Sequence, residues 1–340
     1  MKRMLGVATV VSVFGLLGIV CLPVHAQEKA ITLNFANFFP PKHPIGLLMG
    51  QWCTEVEKRT NGRVKTTYYP GGILTPAPQT YASVLGGVAD IGLSFNGYTK
   101  GRFPLSDLLT YPLGNKDAYQ GSMLAHAFYK KLRPKEFAEV KVIFFHNAPP
   151  QRFGAKKPIS TLEDLKGLKT RAGGGIEASI IEALGAVPVA MPMPDAYDSL
   201  QKGVLDAFLG ATEALKGYKL AEQLTHVTYF TSTSNGVGYV VMNKDKWNAI
   251  PPDAQKVIDE IDEEYAEKMA KLWENLAEGG KEFFVQQGGK VIVLSKEEDA
   301  RWTARIRPVV DKYVTELNSK GLLGDEALKF CKDYLKAHQK

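Results

Sequence analysis

The fold is decided by the stretch Ser160–Leu209, STLEDLKGLKTRAGGGIEASIIEALGAVPVAMPMPDAYDSLQKGVLDAFL. Its first half reads as a short helix, a turn, a strand ending at Arg171, three glycines and a second helix. Ser160 and Glu163 have capping-box spacing, and Gly167 suits the end of the first helix. Gly173, Gly174 and Gly175 allow close backbone approach before the helix expected over Ile176–Leu184. Arg171 thus falls at a strand end beside the N–H groups of a helix N-terminus, a place that favours an anion. A guanidinium matches a carboxylate with two parallel hydrogen bonds. The other reading of Arg171 is a structural ion pair next to a glycine loop, and local sequence leaves both open.

The second half of the stretch has a counterpart upstream. Pro78–Asp90 (PQTYASVLGGVAD) and Pro194–Asp206 (PDAYDSLQKGVLD) share Pro, Tyr, Ser, Gly, Val and Asp at the same offsets, six matches in thirteen positions. Each reads as a proline-initiated helix passing through a glycine into a strand, Ile91–Phe95 in one case and Ala207–Leu209 in the other. One supersecondary unit in each half implies two lobes on one plan, with coincidence as the alternative. A chain of 340 residues is long enough for two lobes.

Around these units, Ile31–Ala36 alternates like a strand, Ile45–Arg59 is helical, Asn61-Gly62 is a turn and Val64–Tyr68 is a strand, the opening of an α/β lobe. Lys141–Phe145 is an apolar strand running through Pro149-Pro150 to Arg152, a pattern that suits a crossing between lobes. Leu224–Phe230 and Val237–Met242 are further strands, the second crossing back. A long helix starts at Pro251-Pro252, with Ile258, Ile261, Tyr265, Met269, Trp273 and Leu276 at helical spacing, and is long enough to brace both lobes. Gly288-Gly289 stops it and Lys290–Leu294 is the last strand. Lys296–Lys340 reads as helical, of mixed charge, a solvated packing element.

Residues 1–26 read as a cleaved signal peptide: Lys2 and Arg3, an apolar run Leu5–Cys21, and small residues at Val24 and Ala26. An uncleaved anchor is the alternative, and Val20 before Cys21 argues against a lipoprotein signal. Removing Lys2 and Arg3 takes the formal charge from +6 to +4. The remaining charges interleave, which excludes a nucleic-acid stripe. Cys53 and Cys331 are left, and a disulfide between them is open. His43, His126, His146, His226 and His338 have no metal-ligand spacing, so no metal or cofactor is expected. There is no nucleophile elbow, phosphate loop or dinucleotide fingerprint.

Several motifs together resemble the extracytoplasmic solute-binding proteins of tripartite ATP-independent periplasmic (TRAP) transporters, the DctP-like family. They are His43-Pro44, the run EKRTNGR at residues 57–63, GVADIG at 87–92, LEDLKGLKTR at 162–171, ALGA at 183–186 and AYDSLQKGVLD at 196–206. The resemblance spans nearly all of the mature chain. It implies an α/β, two-lobed periplasmic-binding-protein-like fold, each lobe a sheet flanked by helices. Lobe I is expected over 27–148 plus about 238–285, lobe II over 149–237 plus about 286–340, with the ligand cleft between them.

The family's carboxylate-clamping arginine falls on Arg171 and an assisting one on Arg152. Phe38, Phe95 and Asn96 are implied at the cleft, and Met193 stands where relatives place an aromatic residue. Relatives often carry an asparagine after the second repeat. Phe208–Glu213 has none, so Thr212 and backbone N–H groups are the donors there, while Glu213 reads as a cap of the next helix. The implied function is a periplasmic, monomeric binder that passes a small organic anion to TRAP membrane subunits. Phe35, Phe38, Phe39, Phe95 and Phe208 favour a monocarboxylate with an apolar or aromatic tail, such as a 2-oxo acid. The alternatives are the binding component of an ATP-driven importer and a secreted enzyme acting on a carboxylate.

Overall fold

The computed structural model of the chain describes residues 30–338. The signal segment read at residues 1–26 lies outside them. The first lobe is built from β1 (Ile31–Asn37), α1 (Pro44–Arg59), β2 (Val64–Tyr69), α2 (Thr80–Leu85), β3 (Ile91–Phe95), α3 (Ala118–Leu132) and β4 (Val140–Asn147). The second holds β5 (Arg152–Ala155), α4 (Leu162–Leu165), β6 (Lys169–Ala172), α5 (Gly175–Ala183), β7 (Val187–Ala190), α6 (Ala196–Gln201), β8 (Ala207–Gly210), α7 (Glu213–Gly217) and β9 (His226–Tyr229). After these come β10 (Val237–Asn243), α8 (Lys244–Asn248), α9 (Pro252–Gln286), β11 (Lys290–Val293), α10 (Lys296–Ser319) and α11 (Gly324–Ala337).

The sheets run β2-β1-β3-β10-β4 and β11-β9-β5-β8-β6-β7. In the first, β2, β1 and β3 are parallel, and β10 lies antiparallel to both β3 and β4. In the second, β7, β6 and β8 are parallel, and β5 lies antiparallel to both β8 and β9. The two sheets therefore share one plan, extended in the second by β11. The repeat seen in sequence holds the equivalent place in each. Its final aspartate ties the incoming strand to a neighbour: Asn34 N–H donates to Asp90 Oδ2 at 2.7 Å, and Lys169 N–H to Asp206 Oδ2 at 2.9 Å. Gly87 (φ +74°) and Gly203 (φ +72°) make the preceding turn in a region that disfavours side chains. The repeat prolines stand in short 3₁₀ turns, Ala77–Gln79 and Met193–Asp195, ahead of the α-helices rather than at their first α-helical residue.

Two local expectations shift. The capping box is made by Thr161 and Asp164, one residue later than the Ser160–Glu163 spacing indicates. Glu163 instead pairs with Arg301 at 2.6 Å. The C-terminal segment is also less solvated than its mixed charge implies. Helices α10 and α11 bury Trp302, Ile306, Leu317, Cys331 and Leu335, and α11 packs on α3 of the first lobe. Cys53 and Cys331 are both buried free thiols, pushed up to about 12 by burial.

Two chain crossings connect the lobes side by side, with Ala148 N–H donating to Gly236 O at 2.7 Å and Gln151 N–H to Ser234 O at 3.0 Å. Helix α9, with 35 residues, is about 50 Å long at 1.5 Å per residue. It packs on α1, α3 and β4 of the first lobe and on α7 of the second. Gly280 lets it touch the second lobe, because a Cβ there would lie 2.2 Å from Thr212 O.

Asp262, on the buried face of α9, accepts a hydrogen bond from Trp52 Nε1 of α1 at 2.9 Å, while its other oxygen has no partner. Burial, with Asp259 and Glu263 nearby, raises its pKa from 3.8 to about 8 against the opposing pull of Lys141. Between those values the folded state keeps a proton that the unfolded chain has lost. Stability therefore falls as pH rises from about 4 to about 8. Asp262→Asn keeps the acceptor for Trp52 and removes this slope. Its melting temperature should gain on the wild type by a few degrees across that window. A difference that stays constant with pH would refute a neutral buried carboxyl.

Candidate functional site

A cavity of about 510 Å³ lies between the lobes, within the ~300–1,000 Å³ typical of small-molecule sites. It opens at the C-terminal ends of the parallel strands β1, β3, β6 and β8, where open α/β sheets place ligands. The loop after β1 brings Phe38 and Phe39, the turn after β3 brings Asn96 and Tyr98, and α9 brings Trp273.

Aromatic rings dominate the first-lobe wall. Phe38 stacks on Phe39 with centroids 4.3 Å apart, and Tyr98 meets Phe38 and Phe95 edge-on at 5.6 Å each. Trp273 lies 6.2 Å from Phe95 and 6.0 Å from Phe39. Of the other phenylalanines weighed in sequence, Phe35 packs against Trp52 and Tyr68, and Phe208 against Gly154, both in the core rather than at the cavity.

Arg171 lines the second-lobe side and is 2% exposed. It sits inside β6, one residue before the strand ends at Ala172. Its Nε donates to Met191 O at 3.0 Å, Nη1 to Leu209 O at 3.0 Å and Nη2 to Tyr98 Oη at 3.3 Å. A guanidinium has five N–H groups, so these three bonds leave two unspent. Nη1 also lies 3.6 Å from Glu177 Oε2. The ion pair and the cavity-facing arginine, open alternatives in sequence, coexist.

The helix N-terminus next to it is already occupied by an internal carboxylate. Glu177, in the first turn of α5, accepts the N–H of Gly173 and a 2.7 Å bond from Gln151 Nε2. Gln151 Oε1 in turn accepts from Ser234 Oγ at 2.7 Å. The glycines serve approach between the lobes: a Cβ on Gly174 would lie 2.6 Å from Gly97 Cα and O.

Of the residues expected at the cleft, Arg171, Phe38, Phe95, Asn96, Met193 and Glu213 line this one cavity. Arg152 and Thr212 are not among its lining residues. Arg152 Nη1 donates to Gln151 O at 3.0 Å, and its guanidinium lies over the Tyr229 ring at 4.4 Å. Burial holds its pKa below the usual value. Thr212 spends its hydroxyl on Ala277 O of α9 at 2.7 Å. Glu213 does not cap α7. Its Oε1 receives a 2.6 Å bond from His43 Nε2 of the first lobe. His43 Nδ1 accepts the N–H of Ile45, so the ring proton resides on Nε2.

Sequence reasoning missed Tyr98, Tyr218 and Trp273 as cavity residues. Tyr98 Oη accepts from Met193 N–H at 3.2 Å as well as from Arg171, joining the lobes, and burial raises its pKa. Its only sequence signal is proximity to Phe95. Trp273 reads as one more apolar position on a long helix.

Among the described residues no helix is long and apolar enough to cross a membrane. The family model for bacterial extracellular solute-binding protein, family 7 (DctP), matches residues 35–316. A TRAP periplasmic solute-binding protein from Desulfovibrio salexigens is 33% identical, with 92% of this chain and 97% of that one covered and a TM-score of 0.79. A TRAP solute-binding protein from Rhodoferax ferrireducens, solved with copurified benzoate, is 26% identical over 91% and 98% of the two chains, with a TM-score of 0.86. A third, from an unidentified microbe of a marine metagenome, is specific for aromatic acid ligands and was solved with 3-hydroxybenzoate. It is 26% identical, with 92% and 100% covered and a TM-score of 0.87. The two-sheet architecture, the cavity at the strand ends and these matches agree: the chain belongs to family 7 of the bacterial extracellular solute-binding proteins, the periplasmic solute-binding proteins of TRAP transporters.

Proposed function

We propose that this protein captures an aromatic monocarboxylate in the periplasm and delivers it, as a monomer, to TRAP membrane subunits. One observation carries the reading: among the described residues, a ring-walled cavity contains a single buried cation, Arg171. Its two unspent N–H groups take the carboxylate, while Phe38, Phe39, Phe95, Tyr98 and Trp273 enclose the ring. Lys100 and Lys320, the other cationic lining residues, are exposed. A second carboxylate would therefore be buried unpaired, which is costly. The benzoate and 3-hydroxybenzoate held by two relatives support the same class. Asn96 and Met193 complete the wall, and Arg152 supports it from outside by bonding Gln151 O.

Capture proceeds by lobe closure. The crossings near Gln151 and Ser234 supply the hinge, and such motion needs only a few residues to change dihedrals. Gly97 and Gly174 form the seam on which the closed lobes meet. Closure removes water from around Arg171 and strengthens its pairing with the ligand.

Three predictions test this. Thermal-shift and calorimetric titration should show stabilisation by benzoate, about 2.7 kcal/mol at 100 times its dissociation constant. Arg171→Ala should weaken binding by about 2–5 kcal/mol. It also leaves Glu177 buried without its partner, so the free protein loses stability too. The cleaner comparison is Arg171→Met with Glu177→Gln, which should fold yet not bind. Benzoate affinity retained in that double variant would overturn the arginine's role. Gly174→Val should leave the melting temperature of the free protein near wild type and weaken benzoate at least tenfold, with a larger radius of gyration by small-angle scattering at saturating ligand. Unchanged affinity would exclude the glycine seam as the closing contact.

A further inference from the structure

Resting on the aromatic-acid reading above, we infer that the ligand carries a hydroxyl in addition to its carboxylate, and that Asn96 and Tyr218 read it. Most polar groups of the cavity wall are committed. Arg171 is fixed by Met191, Leu209 and Tyr98, Glu177 by Gly173 and Gln151, and Glu213 by His43.

Two are not. Asn96 is fully buried at 0% exposure, lines the cavity, and neither its Nδ2 nor its Oδ1 has a partner. Tyr218, from the other lobe, lines the same cavity, and its buried Oη has no partner either. Buried polar atoms are nearly always hydrogen-bonded, so unpartnered ones in residues that wall a ligand cavity mark what the ligand brings.

The chemistry of the two side chains narrows the group. Asn96 presents a donor and an acceptor together. Its Oδ1 needs a donor, which the oxygen of a 2-oxo acid lacks and a hydroxyl has. Tyr218 can both give and take a proton in a hydrogen bond. Burial and the nearby Glu213 carboxylate raise its pKa well above the usual value, so it remains a donor at neutral pH. Both groups stand beside rings: Asn96 follows Phe95, and Tyr218 lies 6.4 Å from Phe39. A hydroxyl on or next to the aromatic ring is thus within the region the two side chains border. An acid without it leaves these atoms unsatisfied, and sites built for a hydroxyl discriminate strongly against analogues that lack one.

Matched pairs test the inference by calorimetric titration: benzoate against 3- and 4-hydroxybenzoate, and phenylacetate against mandelate. In the wild type, at least one hydroxylated member should bind tenfold or more tightly than its parent. Asn96→Leu and Tyr218→Phe should each shrink that ratio toward one. Tyr218→Phe removes a single oxygen, so it keeps the test decisive should Asn96→Leu misfold. Parents that bind as tightly as their hydroxylated partners, or a ratio that survives both substitutions, would overturn the inference while leaving the aromatic-acid reading intact. If none of the five acids binds, that reading fails and this inference fails with it.

Discussion

The pairing of Arg171 with Glu177 is the constraint on which the rest of the site depends. A guanidinium 2% exposed cannot stand in a cavity wall without a counter-charge. Glu177 supplies it at 3.6 Å, and its position in the first turn of α5 also places its carboxylate on the N–H of Gly173. The glycine loop is thereby held in the conformation that meets Gly97 of the other lobe. The same carboxylate accepts from Gln151, which accepts from Ser234. Those two residues lie on the adjacent crossings between lobes. One chain of hydrogen bonds runs from the crossings to the arginine, so the orientation of the cation and the geometry of the crossings are set together.

A second tie acts on the opposite side of the cavity. His43 precedes α1 and takes an N–H of that helix on Nδ1, which leaves its Nε2 proton for Glu213 at the start of α7. Gly217 gives this pair its room, since a Cβ there would lie 2.0 Å from Glu213 Oε1. Helix α9 passes behind, with Trp273 facing the cavity and Gly280 against Thr212. The two lobes are thus tied by directional bonds at two edges and by apolar packing at the back. Both apolar clusters of the molecule draw residues from both sheets: Phe35 and Phe208 in one, Tyr239 and Phe153 in the other.

Legibility in the sequence followed the range of the interaction. The two-lobed plan was readable because its unit is local: a short helix, a glycine at positive φ and an aspartate bonding the next strand recur at fixed offsets. Arg171 was readable for the same reason, since strand, glycines and helix are contiguous. The partners across the lobes were not. Tyr98 bonds Arg171 over a separation of 73 residues, and His43 bonds Glu213 over 170. No local pattern encodes either. Glu213 was misjudged as a cap because a carboxylate at a helix start is usually local, whereas here burial and a histidine across the cleft compete for it. The C-terminal helices were read as packing elements, but the extent of their burial was not, because their many surface charges outweigh, in composition, the stripe containing Trp302 and Ile306.

The commitment of Arg171 to Glu177 and to three internal acceptors has a physical consequence for selectivity. With Glu177 already beside Arg171, the cation meets an incoming carboxylate partly neutralised, and only two of its N–H groups remain. Coulomb attraction alone then offsets less of the ligand's desolvation. The remainder has to come from apolar contact, at about 25 cal/mol per Å² removed from water, and from polar groups that closure would otherwise bury unpaired. A small, strongly hydrated acid offers neither. The proposed aromatic acid offers the contact, and the inferred hydroxyl on it satisfies Asn96 and Tyr218. On the proposed reading, the weak electrostatic grip and the ring-lined wall are two sides of one selection, in which the tail of the ligand rather than its charge decides what is held.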